Sequence, residues 1–209
     1  MIYKIDKCED PFIQEKISES VKELEEFYET KLDEEPNVVI LDNRKMIDDF
    51  YGRKTEPWLV AWAKPIIFIL NRANFEKESD HSYSDEIYKA LLKHEISHIY
   101  FDKLSERKYY LPAWIWFLEG VPIYSSGQLK LKKRPTKFNN FLDCKNKGPK
   151  VVYQESGFVI DLLIKQKSKE NLLGFIKSLK NIKTEEEFNV NFLKTFGFEL
   201  NYDNLNKLI

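Results

Sequence analysis

Cysteine, histidine and glycine are scarce in this sequence, and long apolar runs are missing. With two cysteines, Cys8 and Cys144, the chain has no disulfide framework, which favours a reducing compartment. The first residues lack the apolar segment of a signal peptide, and no run of eighteen apolar residues occurs. We therefore expect a cytoplasmic protein that is neither secreted nor membrane-spanning.

A strong net charge is also missing. The formal net charge is −1, which argues against a general binder of nucleic acid or of anionic membranes. Hydrophobic residues make up 43% of the 209-residue chain, enough for a sizeable core. Without an internal repeat or an obvious linker, we expect one domain over 1–209. Residues 1–35 would form an accessory helix on the sheet, 36–104 the sheet and a central helix, and 105–209 a second motif-bearing helix with C-terminal helices.

Hydrophobic periodicity predicts a helix, then short strands, then helices only. Asp10 and Pro11 are typical of a helix start, and Ser82 or Ser84 can cap the central helix. The predicted helices are Pro11–Leu32, Met46–Tyr51, one from about Ser84 to Leu104, Pro112–Tyr124, Val151–Lys165, Lys169–Leu179, Thr184–Phe196 and Asn201–Leu208. The predicted strands are Val38–Leu41, Trp58–Ala63 and Ile66–Leu70. This order is typical of an α+β fold.

Two of the three histidines lie in an H-E-x-x-H pattern, His94-Glu95-Ile96-Ser97-His98. Helix positions four apart lie on nearly the same face, so both imidazoles can reach one ion. The neighbouring residues are mostly uncharged, which indicates a helix buried on most sides. Two buried histidines without a metal would need many compensating hydrogen bonds, so we favour the metal site over that alternative.

Glu119, in Trp116-Phe117-Leu118-Glu119-Gly120, is the candidate third ligand. It lies on a separate predicted helix among apolar residues, where a carboxylate needs a partner of opposite charge. Two imidazoles and one carboxylate leave Zn²⁺ an open tetrahedral position, which is the pattern of a catalytic site. No histidine follows His98, so a third histidine ligand downstream is excluded. A solvent-exposed Glu119, or a site completed by His81 upstream, remains an alternative.

These residues resemble the gluzincins, the zinc peptidases whose third ligand is a glutamate. Leu92–Tyr100 and Trp116–Tyr124 are similar to the two ligand motifs, most closely those of peptidase-MA-like proteins and minigluzincins and more distantly those of zinc aminopeptidases. Val152–Val159 is similar to the tyrosine-bearing helix start of the family, and Trp58–Leu70 to the strands on the upper rim of its cleft. The resemblance implies a zincin-like domain with a small mixed sheet.

The resemblance implies one Zn²⁺ per chain, held by His94, His98 and Glu119. It implies Glu95 as general base and acid, and Tyr153 as the residue that stabilises the oxyanion. The implied reaction is hydrolysis of an internal peptide bond in an extended polypeptide substrate. For Tyr153 the alternative is a core tyrosine on an amphipathic helix.

Three features depart from the family. Pro122 lies three residues after Glu119 and is expected to kink the helix or end it early. The segment Trp58–Pro65 has no carboxylate of the kind with which zinc aminopeptidases hold a free N-terminus, so aminopeptidase activity is not supported. No second-shell acid can be assigned to the histidines.

Two segments have more than one interpretation. Trp58–Ala63 is either a sheet edge, to which an extended peptide can add as a strand, or an interior strand. The basic connection Gln128–Lys150 is expected to be a solvated loop. Its alternative is a lid or inhibitory segment, in which the Cys144 thiolate could take the open metal position.

Two rival functions remain. One is a zinc-binding but inactive or self-inhibited gluzincin-like protein that acts as a regulatory or binding protein. The other is a metal-free interaction protein in which the motif is accidental. The sequence does not determine the oligomeric state.

Overall fold

The computed structural model describes residue 3 and residues 5–109 and 111–209. Residues 1, 2 and 4 of the expected N-terminal part and residue 110 lie outside this range, as do the side chains of Lys145 and Pro149. The described residues form a mostly helical structure with a small three-stranded sheet. The predicted α+β class is confirmed.

The helices and strands follow one another in the predicted order, with shifts at their ends. The α-helices of the described residues are α1 (Pro11–Tyr28), α2 (Arg44–Tyr51), α3 (Phe75–Glu78), α4 (Asp85–Ser105), α5 (Ile115–Ser125), α6 (Cys144–Lys147), α7 (Val152–Gln166), α8 (Lys169–Ser178), α9 (Glu185–Phe196) and α10 (Tyr202–Asn206). The strands are β1 (Val38–Leu41), β2 (Ala61–Ala63) and β3 (Ile67–Leu70).

The central strand of the sheet is β3, which runs parallel to β1 and antiparallel to β2. The register pairs Val38 with Ile67 and Ala61 with Ile69. Of the two interpretations of the Trp58–Ala63 segment, the edge strand is the observed one. The strand is shorter than predicted because Trp58 lies in a turn, closed by a 3.0 Å bond from the Leu59 N–H to the Glu56 carbonyl.

The N-terminal helix α1 lies along α4 and not on the sheet, contrary to the prediction. The Tyr28 ring stacks on Tyr100 of α4 at 5.6 Å between centroids, and Glu23 forms an ion pair with Lys93. The difference arises because α4 has buried residues on most sides, so it needs a helix as well as the sheet to cover it. α1 ends at Tyr28, earlier than the predicted Leu32, with Glu29 in the left-handed region at φ 52°.

Helices α5 and α7 approach each other closely at two glycines. A Cβ on Gly120 would lie 2.9 Å from the backbone oxygen of Ser156, and a Cβ on Gly157 would lie 2.4 Å from Cγ2 of Ile123. Only a residue without a side chain allows this separation. The contact determines where α5 places the residue next to Gly120, which is Glu119.

Pro122 does not end α5, so of the two outcomes expected for this proline, a kink or an early end, the early end is not observed. The helix continues to Ser125, and the Ser126 N–H donates to the Pro122 carbonyl at 2.9 Å. The proline removes one backbone bond. Burial of its neighbours Val121 and Ile123 stabilises the helix enough to offset this loss.

Buried hydrophobic side chains from Ile13 in α1 to Leu205 in α10 form one continuous cluster. The basic connection between α5 and α7 contains α6 and short 3₁₀ turns, among them Gln128–Leu131 and Phe141–Asp143. Within the described residues, no helix combines the length and the apolar character needed to cross a bilayer.

Gly120→Ala is expected to destabilise the protein by about 1–3 kcal/mol, because the new methyl group meets backbone that cannot move aside. Gly174→Ala in α8 is the matched control, since its Cβ would meet no described atom within 4 Å. That change should stabilise the protein by roughly 0.4–1 kcal/mol. Urea unfolding of both variants measures the difference, and equal stabilities would contradict the close α5–α7 contact.

Candidate metal centre

The helix that carries the two histidines is well defined at both ends. The Ser84 side chain accepts a hydrogen bond from the Ile87 N–H at 3.1 Å, as predicted for an N-cap. Asp85 and Glu86 occupy the first turn, where negative charge interacts favourably with the helix dipole. Glu106 ends the helix in the left-handed region at φ 44°. The 21-residue helix α4 therefore begins in solvent at Asp85 and Glu86 and buries its middle and most of its last turn.

Three donor atoms from α4 and α5 converge on one point. His94 Nε2 lies 3.1 Å from His98 Nε2. Oε2 of Glu119 lies 3.3 Å from His94 Nε2 and 3.5 Å from His98 Nε2. The structure therefore brings together the three residues that were predicted as metal ligands.

The convergent group is buried on one side and open on the other. His94 is buried, whereas 23% of the His98 side chain and 19% of the Glu119 side chain are exposed. Oε2 of Glu119 has no hydrogen-bond partner among the described residues, nor does Nδ1 of His94. An unpaired buried carboxylate oxygen facing two imidazole nitrogens is costly unless a cation lies between them.

Charge coupling within the group is strong. Burial disfavours the imidazolium of His98, but the Glu119 carboxylate outweighs burial and raises the pKa of His98 to about 9. Burial also acts to raise the pKa of Glu119, yet the two imidazoles hold it well below its usual range. The pocket therefore favours a negative Glu119 together with positive charge beside it.

Glu95 lies next to this group and is buried. Burial raises the pKa of its carboxyl group, while the two histidines and a backbone hydrogen bond from Ala63 act against that rise. Ala63 belongs to the edge strand β2, so the carboxyl group lies between the metal-binding face of α4 and the sheet edge. A carboxyl group in this environment can exchange a proton closer to neutral pH than an exposed one.

Tyr153, on the first turn of α7, is also at the site. Its ring lies 6.4 Å from that of His94. Burial raises the pKa of Tyr153 well above its ordinary value, with the nearby negative charge of Glu119 acting in the same direction, so the hydroxyl keeps its proton. Tyr153 is only half-buried and lies beside His94, so the alternative of a core tyrosine is not what the structure shows.

Two candidates from the sequence lie elsewhere. His81 is exposed, and its Nε2 is 2.9 Å from the carbonyl of Trp58, so His81 does not complete the metal group. Cys144 is buried, with Sγ 3.8 Å from the carbonyl of Pro112, and so it does not occupy the metal position.

A buried chain of hydroxyl groups joins the two ligand helices to α1. Ser97, inside the H-E-x-x-H pattern, contacts the Tyr28 hydroxyl at 2.6 Å and the Ser125 hydroxyl at 2.8 Å. Sequence analysis did not assign a role to these residues. The available signal was a serine in the middle of a helix predicted to be buried on most sides, since a buried hydroxyl needs a partner.

A second missed residue, Glu155 on α7, holds the basic connection in place. Its carboxylate is buried and accepts the backbone N–H groups of Asn139, Asn140 and Phe141 at 3.0–3.3 Å. The sequence signal that could have revealed Glu155 was an acidic residue within the apolar pattern of a predicted helix. The connection is therefore not a freely solvated loop over this stretch, because a helix anchors it.

No family model matches this chain, and neither a curated protein nor a solved structure matches it.

A double-mutant cycle of Tyr28→Phe and Ser97→Ala tests the hydroxyl chain. Ser97→Ala leaves the buried Tyr28 hydroxyl without its nearest partner, so the two changes should couple by about 0.5–3 kcal/mol in urea unfolding. Tyr88→Phe is the control, because the equally buried Tyr88 hydroxyl donates to the Leu70 carbonyl instead. The changes in the free energy of unfolding caused by Tyr88→Phe and Ser97→Ala should add to within about 0.5 kcal/mol when the two substitutions are combined. Additivity of both pairs would show that the chain does not connect the helices.

Proposed function

We propose that this protein is a gluzincin-like zinc metallopeptidase that hydrolyses internal bonds of extended polypeptides. The observation that carries the proposal is the triangle of donor atoms in His94, His98 and Glu119. Ligands at about 2.0–2.1 Å from a tetrahedral zinc ion lie about 3.3–3.4 Å from one another. The observed separations of 3.1, 3.3 and 3.5 Å agree with that spacing.

The chemistry of the donor set supports zinc. Two imidazoles and one carboxylate form a common ligand set of catalytic zinc sites, with a fourth position left for water or substrate. The partial exposure of His98 and Glu119 supports such an accessible position. Zn²⁺ held by these residues would supply Lewis acidity, which lowers the pKa of water to about 7 and polarises a carbonyl group.

In this proposal Glu95 moves the proton. Its carboxylate takes a proton from the attacking water and passes it to the leaving amine. The pKa of Glu95, raised by burial, brings the carboxyl group closer to the working pH of such a carrier. Ala63, whose backbone lowers the pKa of Glu95, belongs to the edge strand β2, where a substrate would lie.

Tyr153 is the proposed donor to the carbonyl oxygen that gains negative charge. Its position beside His94 and Glu119 and its retained proton both support this role. One well-placed donor of this kind contributes about 2.7–4 kcal/mol to the stabilisation of a transition state.

The edge strand β2 supports a polypeptide as the substrate. Two backbone bonds join β2 to β3 at its ends, from the Leu70 N–H to the Val60 carbonyl at 2.8 Å and from the Lys64 N–H to the Ile66 carbonyl at 3.1 Å. Because backbone groups alternate along an antiparallel strand, those of Ala61 and Ala63 face away from β3. The groups of Ala61 and the carbonyl of Ala63 are placed to pair with an extended chain, whereas the N–H of Ala63 faces Glu95.

The first prediction concerns metal content. Purified protein should hold about one zinc ion per chain after dialysis, and His94→Ala should lose it because a three-residue site loses one ligand. His81→Ala is the matched control and should keep the metal, since the His81 ring contacts the Trp58 carbonyl and the Phe75 ring and is not part of the metal group. Elemental analysis by mass spectrometry measures both. A protein without bound metal would support the interpretation of an accidental motif.

The second prediction concerns the proton carrier. Glu95→Gln should lower the rate of peptide cleavage by about 10²–10⁴-fold and retain zinc, because the side chain keeps its shape but cannot accept the proton. Glu86→Gln, an exposed change in the first turn of the same helix, should keep the rate. Mass spectrometry of a degenerate decapeptide mixture provides the measurement.

Persistent cleavage by Glu95→Gln would overturn the assigned mechanism. Zinc-loaded wild-type protein that cleaves none of the peptides would instead support the inactive or self-inhibited alternative.

A further inference from the structure

Two aromatic rings lie together beside the metal-binding residues. The Trp58 ring lies 5.8 Å from the Tyr153 ring, and both residues are only half-buried. The Tyr153 ring in turn lies 6.4 Å from the ring of His94. Trp58 is therefore separated from the metal-binding residues by one aromatic ring.

The loop that carries Trp58 is held by one guanidinium group, that of the half-buried Arg44. Nη1 of Arg44 donates to the Leu59 carbonyl at 2.6 Å and Nη2 to the Pro57 carbonyl at 2.9 Å. The same side chain also donates to the carbonyls of Glu78 at 2.6 Å and of Glu56 at 3.4 Å. Partial burial lowers the pKa of Arg44, while nearby carboxylates act in the opposite direction.

Other contacts hold the rest of the loop. The Asp48 carboxylate accepts the Thr55 N–H at 2.8 Å and the Thr55 hydroxyl at 2.7 Å. His81 contacts the Trp58 carbonyl at 2.9 Å. A loop with this many backbone partners has a defined conformation, although it is exposed along much of its length. The indole of Trp58 is thus held beside Tyr153 before any substrate arrives.

We propose that Trp58 determines substrate preference by forming, with Tyr153, a wall that accepts an aromatic or large aliphatic side chain flanking the cleaved bond. Arg44 is the positioning residue for this wall. The proposal rests on the peptidase function proposed above. Apolar surface on two half-exposed rings favours such side chains, because their transfer from water and their ring contacts are favourable. Backbone pairing along β2 supplies no side-chain selection of its own, so the wall supplies it.

The test measures binding separately from cleavage. Glu95→Gln protein, in zinc-containing buffer, is equilibrated with acetylated and amidated decapeptides that are degenerate at every position, and the bound peptides are sequenced by mass spectrometry. Aromatic and large aliphatic residues should be enriched about 5- to 10-fold at one position. The enrichment should fall below about twofold when Trp58→Ala or Trp58→Gln is added, and Trp58→Phe should retain it.

Phe12→Leu is the matched control, because the half-buried Phe12 ring lies beside Tyr88 and Arg72 and not beside Tyr153. It should keep the full enrichment. The same preference in both Trp58→Ala and Trp58→Gln, or no preference in the parent protein, would overturn the proposal. Unchanged far-ultraviolet circular dichroism and zinc content establish that each variant is folded.

Arg44→Gln tests the positioning role. On peptides selected by the wild-type protein, KM should rise about 5- to 10-fold while kcat stays nearly constant, and hydrogen exchange should increase in residues 55–59. Arg72→Gln is the control, because Arg72 contacts Asp10 and Phe12 and not the loop. If Arg44→Gln lowers stability but leaves the peptide preference and KM unchanged, Arg44 is only a structural residue.

The outcomes separate the two proposals. Enrichment that depends on Trp58, without cleavage of the enriched peptides by wild-type protein, would uphold the recognition wall and reject the peptidase function. If the protein cleaves peptides and Trp58→Ala does not change the preference, the peptidase function is upheld and the recognition wall is rejected.

Discussion

Two imidazole nitrogens and a carboxylate oxygen face one another at 3.1–3.5 Å, at a place where His94 is withdrawn from water and Glu119 is largely so. Such a convergence of polar atoms is costly, and the surrounding structure must hold two helices in place to maintain it. The hydroxyl chain through Ser97 joins α4 to α5 and α1. On the far side of α5, Gly120 lets α7 approach closely enough to bring Tyr153 to Glu119.

In the proposed function, each role belongs to a different rigid element of this arrangement. α4 and α5 would hold the metal, Glu95 would carry the proton, and β2 would pair with an extended chain. Arg44 holds the turn that carries Trp58, through bonds to the carbonyls on either side of it. Each proposed function therefore belongs to a side chain whose position is determined by packing or by several hydrogen bonds. Such preorganisation is what electrostatic catalysis and selective binding require.

Much of this could be predicted from local signals. The H-E-x-x-H spacing predicts that His94 and His98 share a helix face, and the helix cap at Ser84 could be identified from residue type alone. Other predictions needed information about distant packing. Pro122 was expected to kink its helix or end it early, but the helix continues past it because tertiary burial of α5 offsets the missing bond. Helix α1 was expected on the sheet, but the stacking of Tyr28 on Tyr100 puts it along α4. Ser97, Glu155 and Arg44 gave weak signals because their partners are far away in sequence.

Helix periodicity, caps and motif spacing act over a few residues, and they were sufficient to predict the α+β class, the order of the elements and the candidate residues. Packing between distant elements was needed to show that Glu119 lies within reach of both histidines, that His81 does not, and that β2 is a sheet edge. These outcomes depend on how closely separate helices and strands can approach. That distance is set by glycine contacts, buried hydroxyl groups and the shared core, and no short stretch of sequence contains it.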